Sequence, residues 1–129
     1  MKGERKMPNN FYKKQNKYNN HKCEWNGMKF DSIRELNRYR ELLLIKQANG
    51  EISDLQRQVK FELIPTQKYN NKTYRGCSYY ADFTYKEKGN DKLVVEDVKG
   101  GTATQTPEFI IKQKLMIQRY GEEIDFRIY

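Results

Sequence analysis

The order in which helical and alternating apolar patterns follow one another constrains the fold of this chain more than any other feature of its sequence. A helical pattern comes first, followed by three segments of strand character, a second helical pattern and a last alternating segment. Three meandering strands followed by a helical crossover predict a mixed sheet flanked by helices. The helices are predicted at 32–48 and from Thr106 to about Tyr120, and the strands at 54–64, 77–86, 92–99 and from Ile124 onward.

Local signals place the ends and turns of these elements. Ser32 and Glu35 have the spacing of a capping box at the start of the first helix, and Asn49-Gly50 ends that helix. Asn26-Gly27 is a strong hairpin signal, because both residues accept a positive φ, and it predicts a small N-terminal hairpin. Residues 66–76 are predicted to form a polar loop.

Size and composition bound the class of protein. The 129 residues fit one domain, predicted at residues 23–129 and preceded by a basic arm at 1–22 that is disordered when free. No apolar stretch approaches the roughly 20 residues that span a bilayer, so we expect a cytoplasmic protein that does not enter a membrane. One His and two Cys do not supply the four ligands of a structural zinc site.

The net charge of +8 is concentrated near the N-terminus. Residues 1–29 hold eight Lys or Arg against two Glu, so the rest of the chain is almost neutral. A basic arm on a nearly neutral body favours a polyanionic partner, with Lys13, Lys14 and Lys17 as candidate DNA contacts. A solubilising tail is the alternative interpretation.

Two strands carry acidic residues where acids are disfavoured. Side chains alternate across a strand, so in the segment 93–99 Asp97 and Lys99 share one face while Glu96 points to the other. Asp82 lies in the middle of the preceding strand, and Asp is depleted in strands. If the two strands pair, the carboxylates of Asp82 and Asp97 converge.

Convergent carboxylates favour a hard divalent cation, Mg²⁺ or Mn²⁺. Such an ion would polarise a phosphodiester, while Lys99 would hold the attacking water or neutralise the developing charge. An ordinary salt bridge between Asp97 and Lys99 is the structural alternative.

Three further residues are candidates for the site. Glu35 borders the buried stripe of the first helix and either joins the metal ligands or only caps its helix. Lys112 and Lys114 follow on the second helix and are expected to be free to meet phosphate, although such lysines are more often simply solvated. Glu96 is not expected to be a ligand, because strand parity directs it away.

Asp82 followed by Asp97-Val98-Lys99, in this order of elements, resembles the PD-(D/E)XK nuclease superfamily. The segments around Glu35, Tyr80-Ala-Asp-Phe83 and Val95-Glu-Asp-Val-Lys-Gly100 are similar to those of small phage and prophage proteins assigned to it. The resemblance implies a restriction-endonuclease-like αβββαβ core with a mixed four-stranded sheet. It also implies metal ligands at Asp82, Asp97 and Glu35, with a catalytic Lys99. Ala81 departs from the pattern, which has proline there.

The resemblance implies an Mg²⁺- or Mn²⁺-dependent endonuclease that hydrolyses DNA, including branched DNA in recombination or junction resolution. Small phage members of the fold are commonly dimers, so a homodimer is an expectation as well. Two alternatives stay open: a catalytically inactive nuclease fold that binds nucleic acid, and a structural protein whose arm binds an acidic protein partner.

Overall fold

The computed structural model describes residues 22–100 and 105–129, so most of the predicted arm lies outside the described residues. The chain divides into two compact units, and the boundary lies between Arg40 and Glu41, within the first helix. The helices are α1 (Ile33–Asn49) and α2 (Pro107–Tyr120). The strands are β1 (Cys23–Trp25), β2 (Met28–Phe30), β3 (Ile52–Ile64), β4 (Gln67–Tyr69), β5 (Lys72–Tyr74), β6 (Cys77–Glu87), β7 (Leu93–Asp97) and β8 (Ile124–Ile128).

The first unit contains the predicted N-terminal hairpin. β1 and β2 pair antiparallel, and the turn residues Asn26 and Gly27 have φ of 52° and 77°. Tyr39 of α1 packs against this hairpin, with its ring centroid 6.3 Å from that of Trp25 and 5.4 Å from that of Phe30. A two-stranded hairpin is marginally stable by itself, so this aromatic packing stabilises it.

Side-chain caps define the start of both helices. The hydroxyl Oγ of Ser32 accepts a hydrogen bond from the Glu35 amide at 3.1 Å, as the capping box predicts. Thr106 caps α2 in the same way, accepting from the amide of Phe109 at 3.1 Å, with proline at the next position. No helix in the described ranges is long and apolar enough to cross a membrane.

The main sheet has four strands in the order β3-β6-β7-β8. The first three form an antiparallel meander, and β8 returns parallel to β7 after α2. The prediction of a mixed four-stranded sheet with two helices is therefore confirmed. β7 is shorter than the predicted strand 92–99, because the amide of Val98 turns to the side chain of Asp82.

The core of the second unit lies between the sheet and α2. Phe109 and Met116 of α2 pack on strand residues that are 0–6% exposed, so the crossover helix covers one face of the sheet. These strand residues are Leu63, Tyr79, Ala81, Val95 and Ile124.

The prediction of a polar loop at residues 66–76 was wrong. β4 and β5 pair antiparallel there, with Tyr69 opposite Lys72, and form a second hairpin. Asn70 and Asn71 form its turn, with φ of 51° and 63°. Asn enters this left-handed region at low cost because its short polar side chain bonds locally, so Asn-Asn replaces the glycine-containing pair that usually signals such a turn.

Candidate active site

The candidate site lies where β7 ends beside β6. The antiparallel register of β6 and β7 ends at the pair of Phe83 and Glu96, next to Asp82 and Asp97. The side chain of Asp82 reaches the amide of Val98, the residue after Asp97. The two carboxylates that the sequence singled out are therefore brought to neighbouring positions.

Asp97 is buried, with 4% of its surface exposed, and it is held from two sides. Its Oδ1 accepts a short hydrogen bond from the Tyr79 hydroxyl at 2.6 Å. Its Oδ2 lies 2.9 Å from Nζ of Lys99 in an ionic contact. Within the described residues no group makes a hydrogen bond of regular geometry to Oδ2, so that oxygen keeps coordinating capacity although it is buried.

Lys99 is positioned by β8 and by α2. Its amide donates to the carbonyl of Tyr129 at 3.0 Å, and the Tyr129 amide donates to the carbonyl of Asp97 at 2.8 Å. The Lys99 ammonium lies 4.1 Å from the ring centroid of Phe109, a cation–π distance. The side chain is 22% exposed, so the ammonium is held in place while remaining accessible.

Asp82 is half-buried and holds the backbone at the end of β7. Its Oδ2 accepts from the Val98 amide at 2.8 Å, and its Oδ1 accepts from Nε2 of Gln58 at 3.2 Å. Gln58 has a φ of 50°, a conformation that L-residues rarely adopt, at the point where β3 passes Asp82. Asp82 thus links β3, β6 and the residue that follows Asp97.

Tyr79 joins these residues although the sequence did not single it out. Burial raises the pKa of its hydroxyl far above the ordinary value, and the charge of Asp97, the hydrogen bond to Asp97 and the charge of Asp82 raise it further. The hydroxyl therefore stays a neutral donor, and it lies within the field of both carboxylates. A signal existed in the sequence, because a tyrosine on a buried strand needs a partner for its hydroxyl.

Glu96 is held elsewhere. It is 1% exposed and accepts a hydrogen bond from the Tyr85 hydroxyl at 2.8 Å. Alternation along β7 thus separates Glu96 from the Asp97–Lys99 pair, as strand parity predicted.

The remaining candidates are not brought to this place by the described contacts. Glu35 is buried at 4% exposure in the first unit, so its part in the site stays a prediction. Lys112 was expected to be free, but its Nζ lies 3.0 Å from Oε2 of Glu108 one helical turn earlier. That pair is exposed and therefore weak. Lys114 is exposed on α2. The arm candidates Lys13, Lys14 and Lys17 lie outside the described residues.

The oxygen ligands at this place are carboxylates, the type that hard divalent cations prefer. The residues described contain no group of three or more His, Cys, Asp and Glu side chains that could hold a metal ion. Mg²⁺ needs fewer protein ligands, since it is usually bound through one or two carboxylates and keeps several waters. Asp82 and Asp97 supply two carboxylates, and Oδ2 of Asp97, whose neighbour is the Lys99 ammonium, is the oxygen that a cation would take.

Comparison with known proteins adds one match. The family model described as a protein of unknown function (DUF1064) covers residues 15–128. No curated protein and no solved structure matches the chain significantly.

Proposed function

This chain belongs to the DUF1064 family, and we propose that it is a divalent-metal-dependent endonuclease that hydrolyses phosphodiester bonds in DNA. The observation that carries the proposal is the buried Asp97 carboxylate, with one oxygen on the Tyr79 hydroxyl and the other facing Lys99 at 2.9 Å. Burying a carboxylate costs free energy even when it is paired, and a buried acid beside an accessible ammonium is typical of a functional site.

The order of elements supports the same proposal. One helix, a three-strand antiparallel meander, a crossover helix and a parallel fourth strand follow one another as in the αβββαβ core of PD-(D/E)XK nucleases. In that arrangement Asp82 takes the first acidic position, Asp97 the second and Lys99 the lysine position.

The contacts of each residue at the site indicate the role that it would have in the reaction. Asp97 and Asp82 would bind the cation, which when bound supplies Lewis-acid polarisation of the phosphodiester and a more acidic water. Tyr79 orients Asp97 by holding Oδ1, which leaves Oδ2 as the oxygen that would bind the cation. Lys99 holds a water or phosphate oxygen with its ammonium, which is anchored over the Phe109 ring.

A binding module without catalysis is the second candidate. Both oxygens of Asp97 already have neighbours in the described residues, Tyr79 and Lys99, and an ion pair of this kind can be purely structural. A protein of this kind would bind DNA without binding Mn²⁺ and without cleaving.

The test is a cleavage assay of the full chain on duplex, single-stranded, flapped and four-way DNA, with Mg²⁺, Mn²⁺ or a chelator. We expect cleavage with either ion and none with the chelator. Asp97→Asn should lower the rate by a factor on the order of 10³. Asp91→Asn, at an exposed position between β6 and β7, is the matched control and should cut at the normal rate.

Two results would count against the proposal. Undiminished cutting by Asp97→Asn would remove Asp97 from the chemistry. DNA binding without cleavage of any of the four substrates, together with no uptake of Mn²⁺, would establish the binding module instead.

A further inference from the structure

The second hairpin, β4–β5 with its flanking residues 65–76, is the most exposed ordered segment of the second unit. Each of these twelve residues is exposed to solvent. Its base is nevertheless fixed: the Gly76 amide donates to Oγ1 of Thr66 at 3.0 Å. A Cβ at Gly76 would collide with the carbonyl oxygen of Ile64, so the glycine permits a close approach of the two chains at the base.

All the charged side chains of this hairpin are positive. Residues 65–76 contain Lys68, Lys72 and Arg75 and no Asp or Glu, a net charge of +3. A short exposed segment with three cations and no acid presents a positive field to any partner.

One face of the hairpin is aromatic as well as basic. The register pairs Gln67 with Tyr74 and Tyr69 with Lys72, so these four side chains share a face. Tyr69 and Tyr74 are 67% and 43% exposed, and Nζ of Lys72 lies 5.3 Å from the Tyr74 ring centroid. Lys68 is on the opposite face, so cations flank the two exposed rings.

The hairpin lies beyond the same end of the sheet as the candidate site. β3 and β6 continue past the end of β7, where Asp97 lies, and the hairpin joins them. Asp82 and Tyr74 are eight residues apart along the chain, which is roughly 26 Å if that segment is extended. That distance is shorter than one turn of duplex DNA, roughly 34 Å.

We infer that the β4–β5 hairpin is a DNA-binding element whose cations contact phosphates and whose Tyr69 and Tyr74 stack on unpaired bases within about one duplex turn of the cleaved bond. The inference rests on the proposed function and names its substrate class, DNA with unpaired bases such as a flap or a junction. Exposed aromatic rings between cations fit this partner because every base offers a flat face and every nucleotide a phosphate. A two-stranded hairpin gains little stability from exposed rings, which leaves the two rings available to a partner.

The experiment measures binding of the full chain to flapped and fully paired DNA by fluorescence anisotropy in a chelator, so that cleavage does not intervene. Tyr69→Ala should weaken binding to the flap about fivefold to a hundredfold, with a much smaller effect on paired DNA. Tyr69→Phe keeps the ring and should bind like the wild type.

A charge-matched pair of variants tests the cations. Changing Lys68, Lys72 and Arg75 together to Gln should lower the slope of log affinity against log salt by about 2 to 3, since each phosphate contact contributes about 0.9. The control carries three Lys→Gln changes at and after the other end of β6 and removes the same charge. Its substituted residues are Lys86, Lys88 and Lys92, which are all exposed.

The outcomes separate this inference from the proposed function. Weaker DNA binding by the hairpin variants but not by the control supports DNA binding by the β4–β5 hairpin, even if no cleavage is found in any condition. Equal DNA binding by the hairpin variants and the control overturns the inference about the hairpin, even if the protein cleaves DNA. Unchanged DNA binding with a changed oligomeric state would also overturn it and would assign the face to a second copy of the chain.

Discussion

Replacing Tyr79 with Phe removes one oxygen atom and leaves the ring in the core. The hydroxyl donates a hydrogen bond at 2.6 Å to Oδ1 of Asp97, which is 4% exposed. A hydrogen bond to a charged group contributes about 1.5–3 kcal/mol to stability, because removing the donor leaves a buried acceptor unsatisfied. We expect Tyr79→Phe to lower the free energy of unfolding by about that amount at pH 7.

The pH dependence gives the same substitution a second signature. Because the pKa of Tyr79 is raised in the folded state, the unfolded chain loses this proton first as the pH rises above about 10. The contribution is therefore complete below pH 10 and is lost above it. Between pH 10 and pH 11 the wild type should lose about 1 kcal/mol from this residue, and Tyr79→Phe should not.

Urea unfolding followed by circular dichroism at pH 7, 10 and 11 measures both effects. Tyr80→Phe is the matched control, since Tyr80 is the next residue on β6 and is 54% exposed. Equal stabilities of the two variants at every pH would refute the reasoning. If stability falls but cleavage by the folded protein is unchanged, Tyr79 supports the fold and does not position Asp97 for catalysis.

Two further outcomes follow from the other charged contacts. Lys99→Met should lower cleavage by a factor on the order of 10² to 10³. Its Mn²⁺ binding should be equal or tighter, because Nζ no longer competes for Asp97 Oδ2, and weaker Mn²⁺ binding would contradict this. Lys86→Met, at an exposed position of β6, is the control. Arg127 pairs with Glu87 and Asp125, each at 2.8 Å, and its hydrogen bonds lower the pKa of both carboxyls. Arg127→Met should therefore cost about 0.5–1 kcal/mol at pH 7, a value kept small by solvent screening. That difference should vanish as acid titrates both carboxyls below about pH 4, and a difference that persists in acid would show that packing causes it.

Local chemistry explains what could be predicted from residues alone. Helix caps and tight turns depend on a few neighbouring residues, so the sequence predicts them directly. Examples are the cap of α1 by Ser32, the cap of α2 by Thr106 and the turn at Asn26-Gly27. Alternation along β7 is equally local, and from the sequence alone it predicts that the side chains of Asp97 and Glu96 lie on opposite faces of the sheet. The order of elements followed from the same periodicities.

Contacts between distant residues decided the rest. Tyr79 is 18 positions from Asp97, and Phe109 reaches Lys99 only because α2 crosses back over the sheet. The Asn70-Asn71 turn resembles a loop in composition, and only the pairing of β4 with β5 distinguishes it. Periodicity determines which residues share a face, whereas the partner that a buried polar group finds depends on how the strands and helices pack. The sequence alone therefore determined the elements of the main sheet, the two helices and the candidate acids. The tertiary structure decided which contacts hold those acids and revealed the β4–β5 hairpin.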